Sequence, residues 1–147
     1  MNPTHTMPEV DPTPADILRC AALYLTRHGW HQGDMYTDPG QLAPAACALG
    51  AIHMVVCGHT GTDYTDDQLD IYDRAVAILA DHIDALIWEI DTITSPWISD
   101  GYDEPFSPTA IVAGWNDDAR RTVHDVRAAL ADTAAEWDRL HPTGGSS

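Results

Sequence analysis

Residues 13–29 read TPADILRCAALYLTRHG, and this stretch decides the fold class. Thr13 stands where a helix N-cap belongs, and Pro14 takes the first helical position, whose N–H would lack an intrahelical partner anyway. Asp16 follows the cap by three residues, a capping-box arrangement with Asp in place of the usual Glu. Ile17, Leu18, Ala21, Leu23, Tyr24, Leu25 and His28 then recur at helical spacing, and Gly29 supplies a stop. The spacing predicts a helix over residues 14–28.

The same punctuation recurs downstream. Trp30 to Leu42 is expected to be a loop, marked by Gly33 and Asp38-Pro39-Gly40. Ala43-Pro44 opens a second predicted helix through Ala45, Cys47, Leu49, Ile52, Val55 and Val56, ending at Gly58. It is apolar on most sides, as a central buried helix would be, and Ala46, Ala48, Gly50 and Ala51 allow neighbours to approach closely. Thr65-Asp66-Asp67-Gln68 is another capping box. Behind it Leu69, Tyr72, Val76, Leu79, Ile83, Leu86 and Ile90 run at steps of three and four, predicting a long amphipathic helix with a bend near His82 or Ile83. Asp91 to Glu104 reads as a loop. Ser107-Pro108 begins a short helix reaching about Gly114, and Thr122-Val123-His124-Asp125 caps a last helix striped by Val123, Val126, Leu130, Ala134, Trp137 and Leu140. The expected fold is all-α: an irregular bundle of four principal helices plus one short helix.

A chain of 147 residues with 44% hydrophobic residues is one domain's worth and has enough apolar surface for a core. Pro3, Pro8 and Pro12 lie among polar residues, so residues 1–12 are expected to form a disordered N-terminal segment. Residues 13–141 form the single helical domain, and Pro142-Thr143-Gly144-Gly145-Ser146-Ser147 a disordered tail. No basic leader precedes an apolar run, and no stretch approaches the roughly 20 apolar residues of a membrane span. A cytoplasmic location is the expectation. Cys20, Cys47 and Cys57 contain no CxxC pair and read as reduced, mostly buried thiols.

The formal net charge is −16, and every basic residue is Arg: Arg19, Arg27, Arg74, Arg120, Arg121, Arg127 and Arg139. Such a balance opposes direct binding to nucleic-acid phosphates or anionic lipids. Walker, GxGxxG, GxSxG and HExxH motifs and a basic patch with aromatics are all missing, so nucleotide, flavin and direct DNA-binding functions lose most of their support, and no cofactor is expected.

Several groups of residues could nevertheless carry function. Asp63, Asp66, Asp67, Asp70, Asp73, Asp81 and Asp84 recur along the long helix and its approach. They could imitate a phosphate row toward a basic cleft, or simply solvate a helix face. Trp30, Gln32, Trp115, Asn116 and Asp117 flank helix ends, where polar groups beside aromatics could line a pocket. Cys47, with Gln32 as oxyanion donor and Asn116 as orienter, has elements of a cysteine hydrolase, although a buried structural thiol is the expected role. His53, Cys57 and His59 could supply zinc ligands, but a closed site needs a fourth, and the metal expectation is none.

Gly29-Trp30-x-Gln32-Gly33, Cys47-Ala48-Leu49-Gly50-Ala51-Ile52, Ile111-x2-Gly114-Trp115-Asn116-Asp117 and Thr122-x3-Val126-x3-Leu130 together span most of residues 15–135. This pattern resembles a domain-of-unknown-function family of small acidic proteins from actinobacteria and their phages. The resemblance implies that origin and a helical fold, and no mechanism. The functional expectation is therefore a non-enzymatic, acidic accessory factor that binds a host or self protein, with a DNA mimic as its narrower form and homo-oligomerisation open. The competing expectation is a small-molecule or cysteine-dependent hydrolytic site at Cys47, Gln32 and Asn116.

Overall fold

A computed structural model describes residues 12–38, 40–90 and 107–142, with backbone alone for 87–90. It contains five helices: α1 (Pro14–His28), α2 (Ala48–Cys57), α3 (Asp66–Ile90), α4 (Pro108–Asn116) and α5 (Val123–Leu140). The fold is all-α, and among the described residues the only β-type pairing is two isolated bridges, Trp30 to Ala46 and Tyr36 to Ala46. No described helix is long and apolar enough to cross a membrane. The segments expected to be disordered, and the Asp91–Glu104 loop, lie outside the described residues except at Pro12 and Pro142.

The helix starts follow the caps in the sequence. Thr13 and Asp16 form a reciprocal capping box, as do Thr122 and Asp125. At α3, Gln68 Oε1 accepts from the Thr65 N–H at 2.8 Å while the Gln68 N–H donates to Thr65 Oγ1 at 3.0 Å. Each box satisfies two backbone donors that the first helical turn leaves without partners. Ser107 caps α4, which runs two residues beyond the expected end and so takes Trp115 and Asn116 into the helix.

The second helix is where sequence and structure part. It begins at Ala48, not at Ala43-Pro44, and Cys47 is its N-cap instead of a first-turn residue. Residues 45–47 are extended and tied to the preceding loop through backbone bonds: Ala46 N to Gly29 O (3.1 Å), His31 N to Ala46 O (2.9 Å), Thr37 N to Ala45 O (3.0 Å) and Cys47 N to Met35 O (2.9 Å). Proline's fixed φ suits extended backbone as well as a helix start. The long-range pairing decides between them.

α2 is central. Ala48, Leu49, Ala51, Ile52 and Met54 are all buried, and the helix packs against α1, α3 and α4. α1 packs most heavily on α5, through Ile17, Leu18, Ala21 and Leu25 from one side and Val126, Leu130 and Ala134 from the other. Leu23 and Leu140, expected in the apolar stripes, are instead 52% and 58% exposed, at the margins of their faces. Arg19 and Asp138 join α1 to α5 at the surface. On α3, Ala75, Val76, Leu79, Ala80 and Ile83 turn inward; the helix runs without interruption through His82.

Candidate functional site

The residues flanking the helix ends converge around Asn116, which is 1% exposed. Asn116 Oδ1 accepts from Trp30 Nε1 (2.8 Å) and from the Ala48 N–H (3.0 Å), the latter a free donor in the first turn of α2. Its Nδ2 donates to His31 O (3.2 Å) and Asp117 Oδ1 (3.0 Å). Gln32 Nε2 places both hydrogens, on Asn116 O and Asp118 O, each at 2.9 Å. The Gly33 N–H donates to Asp117 Oδ1 at 3.0 Å. Trp115, 8% exposed, carries the Arg121 guanidinium 4.2 Å from its ring centroid, while Arg121 Nε bonds Trp115 O. Trp30, Gln32, Trp115, Asn116 and Asp117 thus meet, with the Trp30 indole, the Gln32 amide nitrogen, the Asn116 side chain and one Asp117 carboxylate oxygen bonded within the knot. The cluster ties the 30–33 loop to the start of α2 and the end of α4.

Cys47 lies beside this knot. Its Sγ accepts from the Gly50 N–H at 3.4 Å, as a helix cap. Burial pushes its thiol pKa up, outweighing the backbone donors that favour the thiolate, so the uncharged thiol dominates at neutral pH. Its Sγ is engaged by backbone N–H groups at the start of its own helix, and the amide of Gln32 has no hydrogen left for an oxyanion. Alkylation with iodoacetamide at pH 7.5 should therefore modify exposed Cys20 first and leave Cys47 unmodified until the protein unfolds. Fast labelling of Cys47 in the folded protein would restore the nucleophile reading. Peptide mapping by mass spectrometry separates the two.

A second group lies on the other side of α2, in a cleft of about 220 Å³ between α2, the 60–64 loop and the first turns of α3. His53 forms its base, with Cys57 one helical turn further on. Tyr36 Oη lies 2.8 Å from His53 Nδ1. The rings of Tyr64 and Tyr72 stand at 84° and 83° to the imidazole, each with its centroid 6.1 Å away; His59 is 6.3 Å away at 81°. Burial, then the neighbouring His59, lowers the pKa of His53 and keeps it neutral at pH 7. Burial pushes the Tyr72 phenol up to about 12. Among the described residues no three His, Cys, Asp or Glu side chains are grouped to share a metal ion, His53, Cys57 and His59 included. Sequence reasoning singled out His53 and Cys57 but passed over Tyr36, Tyr64 and Tyr72; the shared neighbourhood of the three tyrosines arises only from the fold.

The acidic residues form the third group. Asp63, Asp66, Asp67, Asp70, Asp73, Asp81 and Asp84 are all exposed; Asp63 lies just before α3, and the other six lie on it, away from Val76, Leu79 and Ile83. Among the described ion pairs, Asp70 with Arg74 at 3.3 Å is the one that touches this row. An exposed i,i+4 pair of this kind contributes little, so the row keeps its charge.

The profile of a family of unknown function (DUF6197) matches residues 9–136. No curated protein and no solved structure matches the chain.

Proposed function

We propose, for a chain that belongs to the family of unknown function DUF6197, a non-enzymatic role: it presents the acidic face of α3 to a basic surface of a partner protein. The observation that supports this reading is the row itself, six exposed Asp side chains on one helix (Asp66, Asp67, Asp70, Asp73, Asp81 and Asp84), with Asp63 just before it. A helix holds those charges at fixed spacing, so a complementary basic surface meets a preorganised array and is steered toward it.

Charge density selects among partners. From Asp66 to Asp84 the helix rises about 27 Å at ~1.5 Å per residue. Duplex DNA of that length carries about 16 phosphate charges at one per ~1.7 Å, against six carboxylates in this row. The array is sparse for a DNA mimic and better matched to a basic patch on an ordinary protein. DNA mimicry becomes the reading if the partner binds nucleic acid and DNA competes for the same surface.

The resemblance to proteins of actinobacteria and their phages directs the test to actinobacterial lysate treated with nuclease. Wild-type protein should capture one stoichiometric partner that is released by salt, and the D67R/D70R/D81R variant should lose at least about tenfold of that capture. The substituted positions are exposed, so the variant should remain folded. Capture that persists in the variant would remove this surface from the account.

A further inference from the structure

We infer that the cleft between α2 and the start of α3 is a binding site for a small quaternary ammonium solute, held by the rings of His53, Tyr64 and Tyr72. Its size sets the scale of the ligand. Drug-sized ligands fill about 300–1,000 Å³, so a cleft of about 220 Å³ takes a compact head group.

The rings select charge. The faces of aromatic rings carry the negative part of their quadrupole, and several rings set at steep angles to one another stabilise a cation that cannot donate hydrogen bonds. Tyr64 and Tyr72 stand nearly perpendicular to His53, and Met35 and Leu69 complete an apolar lining that suits methyl groups. Neither His53 nor Tyr72 brings a formal charge of its own at neutral pH. No Arg lines the cleft.

Two polar side chains of the lining are engaged. His53 Nδ1 is bonded to Tyr36, and Gln68 divides its amide between the Thr65 N–H and Val56 O. A carboxylate would meet no Arg among the described lining residues, whereas a weakly hydrated cation is held by the ring faces and needs no hydrogen-bond donor. The protein's surroundings act in the same direction. Asp73 lies close enough to Tyr72 to hold its phenol protonated more firmly, and the net charge of −16 concentrates cations and excludes anions. This site stands on its rings and does not depend on α3 binding a partner protein.

Choline and its uncharged isostere 3,3-dimethylbutanol separate charge from shape. Titrated at constant ionic strength into the full chain and followed by amide chemical shifts, choline should shift signals of residues 53, 64, 68 and 72 and saturate in the millimolar range. The isostere should bind about tenfold more weakly or worse. Tyr72→Leu should weaken choline about tenfold. Tyr64→Leu should do likewise, and it provides the safer variant because Tyr64 is 39% exposed and outside the core. Equal binding of both compounds, no saturable shift with choline, or undiminished binding in a folded Tyr64→Leu variant would each overturn the proposal.

Discussion

Asn116→Ala is expected to destabilise the protein by about 3–5 kcal/mol, a large share of the ~5–15 kcal/mol that holds a domain of this size together. The side chain makes four hydrogen bonds while 1% exposed. Removing it strands Trp30 Nε1 and the Ala48 N–H, and each buried donor left without a partner costs roughly 1–3 kcal/mol. The cap that precedes the Ala48 N–H, the sulfur of Cys47, is already engaged with Gly50. Urea unfolding read by tryptophan fluorescence measures the loss; a change under about 1 kcal/mol would mean that water replaces these bonds without penalty.

Asn116→Asp refines the same result. It keeps the acceptor for Trp30 and Ala48 but loses both donors and sets a carboxylate against Asp117 Oδ1, 3.0 Å from the present amide nitrogen. Like charge and burial raise the pKa of the new carboxyl in the folded state against the Trp30 and Ala48 N–H donors that lower it, and a net rise above the unfolded value is expected. The folded state then binds the extra proton more tightly. The deficit is therefore full at pH 7 and shrinks as pH falls through the folded pKa. A deficit that does not depend on pH would contradict the arrangement around Asn116.

Gly50→Ala is the second large effect, and its sign runs against helix propensity. In an open helix this substitution stabilises by up to about 1 kcal/mol. Here the added Cβ would lie 2.4 Å from Met35 O, 3.0 Å from Tyr36 Cε1 and 3.1 Å from Ala46 Cβ. Met35 O cannot simply withdraw, since it accepts from Cys47 N at 2.9 Å and so fastens the loop to the start of α2. A loss of about 2–4 kcal/mol is expected. Because Tyr36 bonds His53, the shift should also weaken choline binding in the cleft. Gly114→Ala is the matched control: Gly114 is helical, with nothing within 4 Å of a Cβ, and should gain up to about 1 kcal/mol. Equal responses at the two glycines would show that the close approach at Gly50 is not rigid.

Local chemistry made most of the helices legible. Thr13 with Asp16, Thr65 with Gln68, Ser107 before Pro108, and Thr122 with Asp125 each announce a helix start through bonds within three residues of the cap. The start of α2 was not legible. Pro44 fits both a first helical turn and an extended chain, and the outcome rests on bonds from residues 45–47 to partners 8–17 residues away, which leave no periodic trace. The gathering of Trp30, Gln32, Trp115, Asn116 and Asp117 could be anticipated from their places at helix ends. That Asn116 would bond Trp30, His31, Ala48 and Asp117 at once could not, because it depends on three segments meeting within hydrogen-bond distance. The aromatic cleft was hidden for a similar reason. Tyr36 belonged to a loop, Tyr64 to the approach to α3 and Tyr72 to its apolar stripe, and only packing brings them to His53. Exposure of the acidic row, by contrast, follows directly from the helical period of its apolar partners.

The absence of Lys from the chain offers a direct test of that row. Carbodiimide joins a carboxylate to a neighbouring amine with no added spacer. With no Lys in the chain, nearly every such bond to one of its carboxylates must come from another molecule, the α-amino group being the one internal exception. Cross-linking in nuclease-treated actinobacterial lysate, followed by peptide mass spectrometry, should place partner lysines on Asp66, Asp67, Asp70, Asp73, Asp81 and Asp84, from one protein. Cross-links spread evenly over Asp16, Asp34, Asp125 and Asp132, or drawn from many proteins without preference, would contradict α3 as the interaction surface.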